Sequence, residues 1–424
     1  MKFASTRGQS PQIGFSAALL QGLAPDGGLY VPRQWPALSA VTAAELPQIG
    51  ATLIGPFAEG DALAGAVPEI VRDAFNFPAP LKKLADGARV LELFHGPTAA
   101  FKDFGARFLA ASLARIPRPG GRALRILVAT SGDTGGAVAA AFHRRPGIEV
   151  VVLFPKGLVS PTQQQQLTCW GENVRSFAVR GTFDDCQRLV KEAFADAELR
   201  ARVEMSSANS INLGRLLPQA VYYAASSLAI RRESGRGASY IIPSGNLGNS
   251  VACIWAKQMG FPIDRIVLAH NANRTVPDFL ATGKYTPRSS VPTLANAMDV
   301  GNPSNMERLL ALYPDAAALG AQVQAFSVDD EAIRARIRTD RQRLGEVWCP
   351  HTATAAEVHA RLPAAQRTAH EWVLVATAHP AKFRETVEPL VGPVAVPENL
   401  RRLYELPSSF DEIEPTLAAL RSAT

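Results

Sequence analysis

Cysteine is rare in this chain: Cys169, Cys186, Cys253 and Cys349 are the four among 424 residues. They lie too far apart in sequence for a metal-ligand spacing or a small-domain disulfide framework, so no metal site is expected. Reduced thiols of this kind suit a reducing compartment, and the chain reads as cytoplasmic. No apolar run approaches the ~20 residues that a membrane helix needs, and the start, Met1 to Gly8, lacks the charged-then-apolar pattern of a signal peptide. Charge of one sign is also missing. Against 44 basic residues stand 38 acidic ones, and the basic clusters are no longer than pairs such as Lys82-Lys83, Arg231-Arg232 and Arg401-Arg402. That pattern argues against a nucleic-acid footprint, whereas the mild excess of +6 suits a small anionic substrate. Lysine itself is scarce, nine of the 44 basic residues, which makes each lysine worth a separate question.

What remains is ample for a core: 47% hydrophobic and 19% charged residues exclude global disorder. Residues 1–85 are mixed in pattern and read as an N-terminal extension, with a helix at Ser16 to Gly22 and a turn at Pro25-Asp26-Gly27-Gly28. From Val90 onward the pattern is strand, Gly-rich loop, helix, repeated. Apolar runs at Val90 to Phe94, Arg125 to Thr130, Glu149 to Phe154, Val174 to Val179, Ser239 to Ile242, Arg265 to Ala269 and Glu371 to Thr377 read as strands. Leu213 to Ile230 reads as one helix, and the tail Ser409 to Ser422 as a last helix. Strands alternating with helices predict an α/β protein with parallel sheets covered on both faces, and ligands at the carboxyl ends of the strands. Two open α/β lobes with a cleft between them fit this order, one over 86–200 and one over 201–424. No solenoid-period repeat is present.

Three stretches carry chemistry. Lys102, in His95-Gly96-Pro97-Thr98-Ala99-Ala100-Phe101-Lys102-Asp103-Phe104-Gly105, sits at a strand-to-helix junction between two phenylalanines. Apolar surroundings and a helix N-terminus both disfavour an ammonium, and a neutral amine suits a Schiff base with an aldehyde cofactor. A helix-start lysine whose head simply reaches water is the plainer alternative for an isolated residue. The loop Gly245-Asn246-Leu247-Gly248-Asn249, before a helix, has the form of a phosphate cradle, although a tight turn without a ligand has the same composition. It has neither the dinucleotide G-x-G-x-x-G spacing nor the Lys-Ser/Thr of a P-loop. The loop Ser131-Gly132-Asp133-Thr134-Gly135-Gly136 adds hydroxyls that can hold a carboxylate. Asp133 would repel that carboxylate unless it turns away, for instance as a helix cap.

Together these stretches resemble the pyridoxal-phosphate enzymes of the tryptophan-synthase-β type (fold type II), and among them the threonine synthases in the longer form of many bacteria and fungi. The resemblance rests on Ser5 to Gly8, Gly22 to Tyr30, His95 to Asp103, Ser131 to Gly136, Gly181 to Cys186, Asn209 to Asn212, Pro243 to Asn249, Asp299 to Asn305 and His379 to Phe383. These blocks span nearly the whole chain in order.

The resemblance implies a threonine-synthase N-terminal domain over 1–85. It also implies pyridoxal 5'-phosphate in the cleft and a lyase that converts O-phospho-L-homoserine and water to L-threonine and phosphate. Lys102 would carry the cofactor and move protons at Cα and Cβ, Gly245 to Asn249 would hold its phosphate, and Thr377 would face its pyridine nitrogen. Ser131, Gly132, Asp133 and Thr134 would hold the substrate carboxylate or lie beside the cofactor ring. Related enzymes usually have Asn at Asp133, but the longer threonine synthases share the acid. For the substrate phosphate the candidates are Lys156, Asn209, Ser210, Asn212 and Arg215. Either a monomer or a homodimer fits. A phospho-lyase that leaves 2-oxobutanoate, and a non-catalytic cofactor binder, are the rival readings.

Overall fold

The apolar runs of the sequence become the strands of two parallel sheets, and the Gly-rich loops that follow them become the turns at the strands' carboxyl ends. In the structure, a computed structural model, residues 1–38, 41–118, 123–130 and 132–424 are described. The strands are β1 (Phe3–Ser5), β2 (Tyr30–Pro32), β3 (Leu81–Lys83), β4 (Arg89–Glu92), β5 (Leu124–Ala129), β6 (Ile148–Pro155) and β7 (Val174–Val179). They continue with β8 (Glu204–Ser207), β9 (Ala238–Pro243), β10 (Ile263–His270), β11 (Val323–Ser327), β12 (Glu371–Ala376) and β13 (Asp411–Ile413). A six-stranded sheet has the order β11-β10-β9-β12-β4-β3, and a five-stranded sheet the order β13-β7-β6-β5-β8. All pairs in both are parallel except β3 with β4. The central strands are buried along almost their whole length, as parallel strands covered by helices must be.

The two lobes are not consecutive pieces of chain. Strand β4, which leads to Lys102, pairs with β12 in the six-stranded sheet, whereas β8 and β13 belong to the five-stranded one. The linear division at 200/201 therefore puts the strand before Lys102 in the wrong sheet, because strand partnership is long-range and periodicity is local. Residues 1–75 add the hairpin β1–β2 and helices such as Leu46–Ile54 and Val67–Ala74, whose apolar faces join the main core. The Ser5–Arg7 and Asp26 segments bond to each other and to Glu307, so these motif residues act as scaffold: Asp26 accepts from Ser5 Oγ (2.7 Å) and Glu307 from Thr6 Oγ1 (2.5 Å).

Two expected helices differ. Leu213 to Ile230 is interrupted by a 3-10 turn at Leu217–Gln219, where Pro218 removes a backbone donor. The tail is strand β13 followed by the helix Leu417–Ala423, with Pro415 between them; Asp411 to Ile413 pair with the edge strand β7. Among the described residues no helix is long and apolar enough to cross a membrane, and all four cysteines are free and buried.

Candidate active site

Three neighbouring strands, β9, β12 and β4, end at the Gly245 loop, at Thr377 and at the Lys102 loop respectively. Adjacent parallel strands deliver their carboxyl ends to one edge, so the sheet order alone assembles the three expected cofactor elements. The assembly is pinned by backbone bonds: Phe101 N–H donates to Thr377 O (2.8 Å), His379 N–H donates to Ala99 O (3.1 Å), and Ala100 bridges Ala378. Ala99 takes a left-handed conformation (φ 52°) with no exposed surface. From the second sheet, β5 delivers Gly132 to Thr134 and the adjacent β8 delivers Asn209 to Asn212. Ser131 lies outside the described residues.

Lys102 is the first residue of the helix Lys102–Leu113, and its amine has no hydrogen-bond partner among the described residues. Burial depresses its pKa to about 8; Asp133 opposes this, and Lys382 and Arg215 add to it. The amine lies 6.0 Å from the centroid of the Phe101 ring. Neighbouring Asp103 is buried and accepts from Thr98 N–H (2.9 Å) and Thr98 Oγ1 (2.7 Å), which braces the loop before the lysine.

The loop Gly245 to Asn249 fits a phosphate. Its five backbone N–H groups donate to no acceptor among the described residues, and Leu247 holds a left-handed φ of 64° where the helix Gly248–Gln258 begins. Free amides converging on a helix N-terminus are the donor set that a phosphate satisfies. Asn246 and the Asn249 oxygen have partners within the fold, whereas Asn249 Nδ2 is buried with none among the described residues. Asn246 bonds Ser210 Oγ (2.5 Å) and Ser304 N–H (2.6 Å), while Asn249 Oδ1 accepts from Tyr223 (2.8 Å) and Tyr222. Asn305 clamps the loop from below, donating to Asn246 O (2.9 Å), and is itself held by the fully buried Arg308 (2.6 Å). The Thr377 hydroxyl is 5% exposed by residue and makes no bond to a described residue, which leaves it available to a ring nitrogen.

Asp133 does not cap its helix. The cap position is Gly132, whose φ of 140° and contact with Gln163, 2.4 Å from where a Cβ would stand, admit only glycine. The Asp133 carboxylate instead lies 3.0 Å from Lys382 Nζ, and Lys382 also donates to Thr98 O (2.9 Å). Burial would raise the Asp133 carboxyl, but the ammonium groups of Lys382 and Lys102 outweigh it and hold it below the ordinary carboxylate range. Thr134, half-buried, makes no side-chain bond to a described residue.

The residues nominated for the substrate phosphate divide. Arg215 is 2% exposed, has no carboxylate partner among the described residues, and donates only to Ala208 O, with its Nε unpartnered. Burial depresses it to about 10. A buried guanidinium without a counter-ion is expensive and calls for an anion. Asn209, nearby in sequence, makes no side-chain bond to a described residue: its amide Nδ2 is the atom able to donate to a phosphate oxygen, while its buried Oδ1, an acceptor, stays unpartnered. Ser210 bonds the cradle through Asn246. Asn212, in contrast, spends its whole amide on structure: it donates to Leu19 O and Ser207 O (both 2.9 Å) and accepts from Gly214 N–H (2.9 Å). Lys156 is exposed and paired with Glu412 at 2.6 Å, beyond the end of β6. The Asn212 amide has no donor left for a phosphate, and Lys156 stands in an exposed ion pair on the surface.

Two side chains of the site were not singled out from sequence. Lys382 stands in the His379 to Phe383 block, and its scarcity as a lysine, with Asp133 in need of a counter-ion, was the available signal. His351, at the start of the helix Pro350–Arg361, accepts from Ala297 N–H through Nε2 (3.1 Å), while its Nδ1 is buried and unpartnered. Burial depresses its pKa to about 4, so it is a neutral imidazole with its proton on Nδ1.

A lysine at a strand–helix junction, a loop of free amides and a hydroxyl, all at the carboxyl edge of one parallel sheet, define a pyridoxal-phosphate-dependent enzyme of fold type II. Residues 81–378 match the family described as "Pyridoxal-phosphate dependent enzyme". The flanks match "Threonine synthase N terminus" over 2–75 and "Threonine synthase, C-terminal" over 352–423, and the chain belongs to the threonine synthase family. Threonine synthase of Haemophilus influenzae is 41% identical over 97% of this chain and 96% of its own length, and that of Escherichia coli is 38% identical over 99% and 98%. The crystal structure of PLP-bound threonine synthase from Brucella melitensis superposes with a TM-score of 0.92 at 35% identity, covering 100% of this chain and 98% of that one.

Proposed function

We propose that this chain converts O-phospho-L-homoserine and water to L-threonine and phosphate, with the residues described above in the following roles. Lys102 attaches pyridoxal 5'-phosphate, the amides of Gly245 to Asn249 hold the cofactor phosphate, and the Thr377 hydroxyl meets the pyridine nitrogen. The cofactor, when bound, supplies the electron sink that makes protons at substrate Cα and Cβ removable. The Lys102 amine then serves as the proton carrier at these carbons, because an amine with a pKa near 8 gives and takes protons readily near neutral pH. The backbone N–H groups of Asp133 and Thr134 and the Thr134 hydroxyl are the donors for the substrate carboxylate, while Gly132 N–H donates to Thr130 Oγ1 (2.9 Å) and shapes the loop. Arg215 and Asn209 receive the substrate phosphate, which leaves from Cγ, before water adds at Cβ.

The observation that carries this reading is the convergence of Lys102, five amides with no acceptor among the described residues and the Thr377 hydroxyl at the ends of three adjacent strands. Buried, free cysteines support a reducing, cytoplasmic setting, and the proposed partner is a small molecule, not nucleic acid, acted on by a monomer or homodimer. The test is to load the protein with the cofactor, add O-phospho-L-homoserine, and assay phosphate and threonine together. Equal release of both, lost in Lys102→Ala, is the expected result. Phosphate accompanied by 2-oxobutanoate in place of threonine overturns it.

A further inference from the structure

The acid beside the cofactor lysine raises a difficulty. A carboxylate near a buried amine stabilises the ammonium and works against a nucleophilic, proton-carrying lysine. Asp133 is such an acid: it is 5% exposed and its charge bears on Lys102. It reaches the site on the helix that follows β5, and its neighbour there is Lys382, with no exposed surface, on the 3-10 turn Pro380–Phe383 that follows β12. Lys382 Nζ lies 3.0 Å from Asp133 Oδ1 and 2.9 Å from Thr98 O, a carbonyl of the Lys102 loop itself. The ammonium is thus fixed by two partners, the Asp133 carboxylate and a carbonyl of the loop it would influence.

We infer that Lys382 is a positioning residue for Lys102: its ammonium, held on the Asp133 carboxylate, cancels the field of that acid so that the cofactor lysine reacts as a neutral amine. The inference rests on Lys102 being the attachment point. A close opposite-charge pair acts at a distance as a dipole, whose field falls off faster than that of a lone charge. The remaining groups that face these residues are few. Arg215, from the helix Leu213–Leu216, bears on Lys102; His351, from the helix Pro350–Arg361, bears on Asp133 and Lys102 but is neutral. The buried Cys349 thiol before that helix faces Asp133 and is pushed up by burial, and the uncharged Gln163 amide donates to Asp133 Oδ1 (3.5 Å). Asp103, on the helix of Lys102, faces Lys382 and is tied up by Thr98. With the pair intact, burial governs Lys102, and Lys382, with a smaller push from Arg215, offsets the pull of Asp133.

The test compares Lys382→Met, Asp133→Asn and the double variant with the parent, all as full-length protein. Each is freed of cofactor and mixed with pyridoxal 5'-phosphate across pH 6 to 10, and the midpoint of the attachment rate is read from the growing absorbance band. Lys382→Met leaves the acid uncompensated and moves the midpoint up by about one unit; Asp133→Asn leaves the cation uncompensated and moves it down by about as much. The double variant returns to within ~0.3 unit of the parent, since both charges are gone. Midpoints that do not move, or single variants that move the same way, overturn the inference in favour of a purely structural pair. Should Lys382→Met fail to fold, the downward shift in Asp133→Asn and its reversal in the double variant decide the matter. Attachment that survives Lys102→Ala would instead remove the reading on which the inference rests.

Discussion

A Cβ on Gly105 would stand 2.3 Å from the carbonyl oxygen of Arg215, so the helix that begins at Lys102 and the short helix of Arg215 meet backbone to backbone. The contact sets the spacing between the cofactor lysine and the guanidinium proposed for the substrate phosphate. Gly105→Ala must push the two helices apart. Overpacking of this kind costs roughly 1–3 kcal/mol, and the displaced arginine should lower kcat/KM. Denaturant unfolding and a phosphate-release assay check both effects; unchanged values for both would show that the contact has room to give.

The basicity of Lys102 sets a pH dependence. Only the neutral amine attaches the cofactor, so the attachment rate rises with pH as the ammonium is lost. With the pKa lowered from 10.5 to about 8, the midpoint should fall near pH 8 and the rate should level off above it. Stopped-flow absorbance of the cofactor-free protein measures it. A rate still climbing steeply at pH 10 would describe a lysine in ordinary solvent.

Arg215 should show function and stability pulling apart. Its cation is buried without a counter-ion among the described residues, which costs stability until an anion arrives. Arg215→Met keeps the length, removes the charge and should leave the melting temperature level or higher. KM for O-phospho-L-homoserine should rise by roughly tenfold or more, the worth of a lost charge-assisted contact. Cofactor attachment should survive. A marked fall in melting temperature with unchanged KM would make Arg215 a structural cation.

How much of this was legible in the sequence depends on whether the signal was local. Lys102 between Phe101 and Phe104 and the Gly245 to Asn249 loop are short-range patterns, whereas Thr377 came only from the family resemblance; all three stand at the carboxyl ends of adjacent strands. Partnerships between distant residues were not legible. Nothing near Lys382 says that Asp133 is its mate, nothing near β4 says that it pairs with β12, and Asp411 to Ile413 read as helix until the edge of β7 is there to receive them. Asn212 shows the same limit from the other side. It stands in a motif that looks like a ligand set, and its amide is spent on Leu19 and Ser207.

Asn209 and Asn212 therefore make a matched pair for the last prediction. Three residues apart in one loop, they differ in what their amides meet. Asn212 has all its capacity engaged by backbone groups, so Asn212→Ala leaves buried partners unsatisfied and should cost roughly 1–3 kcal/mol of folding stability. Its effect on KM should be small where the protein remains folded. Asn209 has a buried Oδ1 with no partner, so Asn209→Ala removes an unmet group and should change stability by less than about 0.5 kcal/mol. Its cost should appear in kcat/KM for O-phospho-L-homoserine. Lys156→Ala supplies the control: an exposed pair with Glu412 is worth about 0–1 kcal/mol, and turnover should not change. Thermal melting and steady-state kinetics on the three variants separate the roles. If Asn209→Ala loses stability while keeping its turnover, the two asparagines have the same, structural, job and the phosphate of the substrate is met elsewhere.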